Sequence, residues 1–169
     1  MKKIFLSLLC TTGISFAQTA SNKLPTLSID KNSITVSGVS AGGFMAIQLS
    51  VALSSVFSGA ASVAGGVYWC AEGSALKAQF GCMKKPSSID VQSKIKKAQE
   101  EEAAGNIEPL ANLKRSRVYI YASPKDNVIG NLNTQKTLEF YSQFTPKENF
   151  LVRQDVNSGH GWVTKDFGN

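Results

Sequence analysis

The sequence predicts an α/β fold with a mainly parallel sheet, on the strength of three observations. Segments with strand-like apolar patterns alternate along the chain with segments of helical spacing. The composition, with 43% apolar and 18% charged residues, is that of a globular protein that buries a core. The length of 169 residues suits one domain of ordinary size. Disordered, collagenous and low-complexity classes are therefore excluded.

The first predicted strands lie around a turn. Apolar residues alternate over 27–29 and again over 34–36, on either side of the turn-rich residues 30–32. This pattern predicts either a hairpin or two successive short strands, and the second strand runs into Gly38.

A largely buried helix is predicted over residues 42–57. Four apolar residues recur there at helical spacing and are expected to face the core: Met45, Leu49, Ala52 and Val56. Residues 60–65 are small and bounded by glycine, which predicts a short buried strand. Residues 66–87 are expected to be irregular.

The second half of the chain continues the alternation. Residues 89–104 are mostly good helix formers whose charge run predicts a solvated face, with Asp90 expected to cap the helix. Residues 118–121 form the clearest strand, residues 133–144 predict the next helix, and residues 150–152 predict another strand. The sequence indicates neither an internal repeat nor a second domain.

The N-terminus is typical of a secretory signal peptide over residues 1–17. Two lysines precede an apolar stretch over residues 4–16, and Ser15 and Ala17 supply the small residues of a cleavage site. The alternative is an N-terminal membrane anchor, but threonines and a glycine interrupt the apolar run before it reaches the length of a span. We therefore expect a secreted protein, extracellular or periplasmic, without stable membrane insertion. Its domain would span residues 18–169.

Export also bears on the cysteines and on the charge. Cys10 would leave with the signal peptide, so Cys70 and Cys82 remain and are expected to form one disulfide in an oxidising compartment. A metal site is the alternative, but the chain has one histidine and no C-x-x-C, so we expect no metal and no cofactor. Cleavage of the signal peptide would also remove two lysines and lower the formal charge of +6. The remaining excess of basic residues therefore identifies no partner.

A short motif indicates a nucleophile. Residues 38–42 fit G-x-S-x-G between a predicted strand and a predicted helix, the context in which this motif forms a nucleophile elbow. Ser40 would then be the nucleophile, and the Ala41 N–H at the start of the helix would stabilise an oxyanion. The alternative is a glycine-rich turn without activity.

The chain also offers a base and an acid. His160 is the single histidine and lies in a glycine-rich loop after the last predicted strand. Asp126 follows the strand 118–121, which gives the chain order Ser, Asp, His of this motif class. Asp90 and Asp155 are weaker candidates, since the first is expected to cap a helix and the second lies at the end of a strand. These residues predict acyl transfer through Ser40, His160 and Asp126.

Three segments resemble a known family. Residues 34–45, residues 64–71 with the sequence AGGVYWCA, and residues 159–161 are similar to secreted poly(3-hydroxybutyrate) depolymerases of the single-domain, circularly permuted type, in the α/β-hydrolase superfamily. The resemblance covers the chain from about residue 25 to its end. It implies a three-layer α/β-hydrolase-like fold, a polyester or oligoester substrate, and the same roles for Ser40, Ala41, Asp126 and His160. It also makes the disulfide between Cys70 and Cys82 plausible.

The chain departs from the family pattern at its ends. An α/β-hydrolase places several strands and an oxyanion loop before its nucleophile, whereas only residues 18–39 precede Ser40 after cleavage. The resemblance implies that these strands follow the histidine in permuted members, and here the sequence ends at Asn169. We therefore expect a partial, C-terminally truncated hydrolase domain, with the source of the second oxyanion donor open.

The remaining features concern substrate and partners. Trp162, two residues after His160, is expected to contact substrate, whereas Tyr68 and Trp69 are expected in the core. The basic residues are scattered among acidic ones, so we expect no nucleic-acid partner. The leading hypothesis is a secreted serine esterase acting on poly(3-hydroxyalkanoate). The alternatives are an esterase of feruloyl or acetyl groups on plant polysaccharide and a hydrolase-like binding protein without catalysis. The oligomeric state is not predicted.

Overall fold

The structure is a computed structural model that describes residues 25–164. The predicted signal peptide, residues 1–17, lies outside the described residues. Four strands form one sheet in the order β1-β2-β3-β4, and every neighbouring pair is parallel. The strands are β1 (Thr35–Val39), β2 (Gly59–Val63), β3 (Arg117–Tyr121) and β4 (Phe150–Arg153). The predicted parallel α/β class is confirmed.

Helices connect the strands. They are α1 (Ala41–Ala52), α2 (Val91–Ala103) and α3 (Leu132–Tyr141), together with a π-helix over Lys77–Met83 and short 3-10 turns. The side chain of Asp90 caps α2, as predicted, by accepting the backbone N–H groups of Gln92 and Ser93. Gly105, with φ of 73°, follows the end of this helix.

All three α-helices pack on one face of the sheet. The four strands follow one another in sequence order, and right-handed crossovers then place every connecting helix on the same side. The register puts Val36, Ala60, Val118 and Phe150 on that side, and one apolar cluster joins them to α1, α2 and α3. Residues 25–164 thus contribute the sheet and one helical layer of the predicted three-layer arrangement.

The opposite face of the sheet is more open. It carries Ser37, Ala61, Tyr119 and Leu151 at one level of the register, and Leu151 is 57% exposed. Residues 154–164, which form no helix or strand, return towards the carboxyl end of this face, where Tyr121 is buried. The site therefore forms where an ordered sheet edge meets irregular segments.

Two local predictions were wrong. Residues 27–29 form no strand, and Leu27 and Ile29 are 62% and 64% exposed. The side chain of Asp30 instead caps a 3-10 turn over Lys31–Ser33 through the Asn32 N–H, at 2.9 Å. A local side-chain hydrogen bond therefore replaces the predicted pairing.

The predicted buried face of α1 was also wrong. Met45 is 54% exposed, whereas Ala46, Ile47 and Val51 are buried. This helix is apolar on nearly every side, so periodicity alone does not select the face that packs on the sheet. Three of the residues on its buried side, Gly43, Ala46 and Ser50, are small and let the helix approach the strands closely.

The segment after β2 is more ordered than expected. Residues 66–87 contain the π-helix, which begins at Lys77, and the start of a 3-10 turn over Pro86–Ser88. Cys70 and Cys82 form a disulfide with a Cα–Cα distance of 5.9 Å, which ties the loop after β2 to the π-helix. Within residues 25–164, no helix is long and apolar enough to cross a bilayer.

Candidate active site

Three of the four strands bring the candidate residues to one edge of the sheet. Ser40 directly follows β1, Asp126 follows β3 after a short turn, and His160 follows β4. Because parallel strands end at the same edge, residues that follow them in sequence lie close together in space. The sequence order Ser, Asp, His thus places all three residues after the carboxyl ends of parallel strands.

Ser40 lies in a strained turn between β1 and α1. Its backbone has φ of 56° and ψ of −122°, a conformation that residues other than glycine rarely adopt. The Ser40 N–H donates to the carbonyl of Val63 on β2, at 2.9 Å, so the turn is held against the neighbouring strand. This is the geometry of a nucleophile elbow, in which the serine side chain projects from the sheet edge.

The glycines beside Ser40 explain the motif sterically. A Cβ added at Gly38 would lie 2.2 Å from the carbonyl oxygen of Gly42, which forbids any side chain there. A Cβ at Gly43 would lie 2.9 Å from the carbonyl oxygen of Val63 and 3.1 Å from the Cα of Gly65. Gly42 has open space at the same position. The turn therefore requires glycine at positions 38 and 43, whereas the space around position 42 would admit a side chain.

The start of α1 offers free backbone donors. The first i→i−4 bond of the helix runs from the Phe44 N–H to the Ser40 carbonyl, at 3.1 Å. The N–H groups of Ala41 and Gly42 precede it and have no helical carbonyl to bind. Ala41 thus has the backbone donor that an oxyanion beside Ser40 would need.

Asp126 and His160 are in direct contact. His160 Nδ1 lies 2.9 Å from Asp126 Oδ2, and the Asp126 side chain is fully buried while that of His160 is 22% exposed. An ionised carboxylate only accepts hydrogen bonds, so Nδ1 carries the proton in this contact. The other ring nitrogen, Nε2, is then free to accept a proton from a hydroxyl.

The second oxygen of Asp126 is also bound. Oδ1 accepts the backbone N–H groups of Val128 and Ile129, at 2.8 and 2.9 Å. These bonds stabilise the charge of a carboxylate that has no contact with water, and they leave Oδ2 aimed at His160. The weaker candidate Asp155 is exposed and pairs with Arg153 instead, at 2.6 Å.

Ser40 and His160 are not joined by a hydrogen bond in the described part of the chain. The Ser40 hydroxyl does not cap α1 either. In ligand-free enzymes the contact between nucleophile and base is often long and shortens only when substrate binds. The structure therefore brings Asp126 and His160 together and leaves the Ser40 hydroxyl open to a ligand.

Ser40 opens on an apolar cavity of about 440 Å³. One stripe of α1 lines it, with Ala41, Phe44, Met45 and Gln48, which explains why Met45 is exposed rather than packed in the core. The other walls are mostly apolar and come from the loop after β2, the π-helix and the turn after Asp126: Val67, Trp69, Ala71, Ala78, Met83 and Ile129. Sequence reasoning missed these residues, because an apolar side chain on a cavity wall has the same pattern as one in the core.

The wall opposite α1 is fixed by a disulfide and an ion-pair cluster. Cys70 and Cys82 both line the cavity. Glu72, at φ of 49°, accepts hydrogen bonds from Lys77 on the π-helix and from the buried Lys94 on α2. These ammonium groups, Lys77 first, lower the pKa of Glu72 to about 2. The loop that shapes the cavity is therefore tied to two helices.

The aromatic residues occupy different places. Tyr68 is buried in the core, as expected, and Trp69 lies on the cavity wall with Lys97 5.3 Å from its ring centre. Trp162 is 50% exposed and lines a separate cavity of about 380 Å³ on the open face of the sheet, with Tyr119 and Tyr121. The predicted contact of Trp162 with substrate would thus lie outside the cavity on which Ser40 opens.

No metal centre is visible in the described residues. Within residues 25–164, no three His, Cys, Asp or Glu side chains lie close enough together to hold an ion. The two buried cysteines are joined to each other, and His160 is bound to Asp126.

Comparison with known proteins gives relatives for most of the chain. A model of the prolyl oligopeptidase family matches residues 16–169. The poly(3-hydroxybutyrate) depolymerase of Delftia acidovorans is 41% identical over 160 residues, which are 93% of this chain and 32% of that protein. The polyhydroxybutyrate depolymerase of Talaromyces funiculosus is 35% identical over 117 residues, which are 68% of this chain and 32% of that protein. The chain thus spans about a third of the length of the curated relatives it matches.

A solved structure supports the same relationship. A PHB depolymerase variant complexed with an R3HB trimer superposes with a TM-score of 0.71 at 25% sequence identity. The match covers 86% of this chain and 46% of that one. The fold described above is therefore similar to that of the corresponding part of a PHB depolymerase.

Proposed function

The chain belongs to the prolyl oligopeptidase family, and from this we propose that it carries the catalytic residues of a secreted serine esterase. The substrate would be poly(3-hydroxybutyrate), or a related polyhydroxyalkanoate and its oligomers. Relatives named as depolymerases favour ester over peptide bonds as the target. The proposal assigns the nucleophile, the acid and the base of such an enzyme to Ser40, Asp126 and His160.

The proposed reaction proceeds through an acyl-enzyme. Ser40 attacks the ester carbonyl carbon while His160 Nε2 takes the hydroxyl proton. The oxyanion that develops on the carbonyl oxygen accepts the N–H of Ala41. His160 then gives its proton to the leaving alkoxide, and the ester bond breaks.

Water completes the cycle. His160 takes a proton from the water molecule, which attacks the acyl carbon, and Ser40 recovers its proton when the acid product leaves. Asp126 stays ionised throughout, holds the Nδ1–H tautomer and stabilises the imidazolium that forms in each half-reaction.

Two observations together carry the proposal: the strained Ser40 turn after β1, and the contact of His160 with the buried carboxylate of Asp126. Strain of this kind persists only where the surrounding structure enforces it, and it clusters at functional sites. A buried carboxylate bound to the single histidine of the chain has the matching role of orienting a base. A glycine-rich turn without activity would require neither feature.

The cavity supports an aliphatic polyester as the substrate. Its walls are apolar except for Ser40, Gln48 and Glu72, and a polyester segment of aliphatic repeat units presents mostly apolar surface. The carboxylate of Glu72 is engaged by two ammonium groups, so neither sign of charge is offered freely to a ligand. The disulfide supports the proposal of an oxidising, extracellular or periplasmic location.

Substrate profiling tests the proposal. Purified protein is incubated with a suspension of amorphous poly(3-hydroxybutyrate), with methyl ferulate and with acetylated xylan, and the released acids are quantified by chromatography. We expect release of 3-hydroxybutyrate and its oligomers, and none from the Ser40→Ala variant. Release of ferulate or acetate without 3-hydroxybutyrate would identify another esterase. A folded protein that hydrolyses none of them but binds the polymer would favour a binding role.

A further inference from the structure

One buried hydroxyl connects the turn that carries Asp126 with the loop that carries His160. Ser123 is 1% exposed. Its Oγ accepts the backbone N–H of Lys125 at 3.0 Å and that of Ser158 at 2.9 Å, and it donates to the carbonyl oxygen of Ser158. A hydroxyl has one proton and two lone pairs, so the hydrogen-bonding capacity of Ser123 is fully used.

On the acid side, Ser123 fixes the start of the turn. Its Oγ binds the Lys125 N–H, and its carbonyl oxygen accepts the Asp126 N–H at 3.1 Å. Two successive backbone donors are thus held by one residue, in the manner of a side-chain-stabilised turn. The Asp126 carboxylate enters the site from this fixed backbone.

On the base side, Ser123 holds the residue two positions before His160. Both the N–H and the carbonyl of Ser158 bind its hydroxyl. The Ser158 hydroxyl lies 2.7 Å from that of Tyr121, which also donates to the carbonyl of Val156 at 3.2 Å. Because residues 154–164 form no helix or strand, these contacts take the place of regular secondary structure in fixing the loop.

We propose that Ser123 is a positioning residue for the Asp126–His160 pair, with Tyr121 supporting the same loop through Ser158. Ser123 holds the two backbones at the separation that lets Nδ1 of His160 donate to Asp126, and so selects the Nδ1–H tautomer. The catalytic consequence rests on the function proposed above, whereas the effect on the tautomer does not.

The single histidine of the chain makes the test direct. Histidine labelled with ¹⁵N is incorporated into the 169-residue chain, and ring correlation spectra identify which nitrogen carries the proton at neutral pH. The wild type should show one Nδ1–H form with a low-field proton. Ser123→Ala should broaden or lose this proton and populate the Nε2–H form.

Ser116→Ala is the matched control. Ser116 is also 1% exposed and precedes the same strand, β3, at its opposite end, and its hydroxyl has no hydrogen-bond partner among the described residues. We expect its spectrum to equal that of the wild type. A folded Ser123→Ala protein with an unchanged tautomer would overturn the proposal.

Kinetics with a soluble ester give a second readout. Ser123→Ala should lower kcat by about 10- to 100-fold with little change in KM, since the base is displaced while the cavity is intact. If the wild type has no esterase activity, the proposed function fails, and the tautomer still decides the role of Ser123.

If Ser123→Ala does not fold, Tyr121→Phe loosens the same loop with a smaller defect. An unchanged tautomer in folded Tyr121→Phe would then reject the proposal.

Discussion

The turn that carries Ser40 and the loops that carry Asp126 and His160 lie at the same edge of the sheet, yet different interactions hold them. Around Ser40 the constraint is backbone packing: β1, β2 and the start of α1 approach so closely that Gly38 and Gly43 have no room for a Cβ. Around Asp126 and His160 the constraint is a set of side-chain hydrogen bonds to Ser123 and to Asp126 itself.

This difference predicts two kinds of sensitivity. The serine turn tolerates loss of polar atoms but not the addition of a methyl group at Gly38 or Gly43. The acid and base loops tolerate small changes of volume at their exposed positions but not the loss of a buried hydrogen-bonding atom. Substitutions that separate these effects test whether the two regions are independent, as the structure indicates.

The largest expected effect is loss of activity in Asp126→Asn. The new amide would keep its carbonyl oxygen on the backbone donors of Val128 and Ile129 and turn its NH₂ group towards His160, which forces the wrong tautomer. We expect kcat to fall by about 10⁴ with the melting temperature nearly unchanged. Steady-state kinetics on a soluble ester and thermal unfolding measure the two quantities.

Asp155→Asn is the control for that variant. Asp155 lies on the same segment as His160 but is exposed and paired with Arg153. Its kcat should equal that of the wild type. A comparable loss of activity in both variants would show that Asp126 is not the specific partner of the base.

The next effect concerns stability in the serine turn. Gly38→Ala places a methyl group 2.2 Å from the Gly42 carbonyl oxygen and should reduce the free energy of unfolding by about 3 kcal/mol or more. Gly42→Ala meets no atom within 4 Å at a helical position, so it should be neutral or slightly stabilising. Urea unfolding of both variants measures the difference. Equal losses would refute the steric account of the motif.

The disulfide holds the cavity wall, which belongs to neither of these two regions. Cys70 and Cys82 are 12 positions apart, and opening a loop of this size should cost about 3 kcal/mol on the chain-entropy account. We expect Cys70→Ser/Cys82→Ser to unfold at correspondingly lower urea. Its KM should rise more than its kcat falls, because the cavity wall is loosened while Asp126 and His160 keep their contacts. A loss of kcat without a rise in KM would instead show that the cavity wall also positions Asp126 and His160.

The smallest effect is expected at Glu72. Its pKa is lowered from 4.5 to about 2, so its ion pairs stabilise the fold fully above pH 4.5 and lose that contribution as the pH falls towards 2. About a third of this side chain is exposed, which limits the effect of Glu72→Gln at pH 7 to about 1 kcal/mol. The difference in melting temperature between wild type and variant should shrink on acidification below pH 4.5.

The exposed pair of Lys96 and Glu100, at 3.7 Å, supplies the control for Glu72. Glu100→Gln should leave the melting temperature unchanged within error at every pH. A pH-independent difference for Glu72→Gln would mean that its charge is not the stabilising feature.

Much of the fold followed from the sequence because its strands carry strong local signals. The apolar residues 118–121 and 150–152 correspond to β3 and β4, and small residues over 60–65 correspond to β2. The face of α1 could not be predicted, since the helix is apolar nearly all round and its pattern therefore does not distinguish the side that packs on the sheet. The strand predicted over 27–29 does not form, because its apolar pattern is weak and the neighbouring Asp30 caps a 3-10 turn instead.

The candidate site also contains residues that local sequence features predict and residues that only the fold identifies. Ser40 was predicted from a motif whose steric cause lies within a few residues, and His160 from its being the single histidine. The cavity walls and Ser123 could not be predicted, because their roles depend on contacts between segments that are separate in sequence, 35 positions apart for Ser123 and Ser158. Serine is common in loops, and only the fold shows which one binds both the acid turn and the base loop.

The central claim is that Ser40 is a nucleophile activated by His160 and Asp126, and covalent labelling tests it most directly. The folded 169-residue chain is treated with a fluorophosphonate, and the modified peptide is located by mass spectrometry. We expect one label on Ser40, none in Ser40→Ala and much slower labelling in Asp126→Asn. A folded protein that takes up no label, or takes it up at another serine, would contradict the claim.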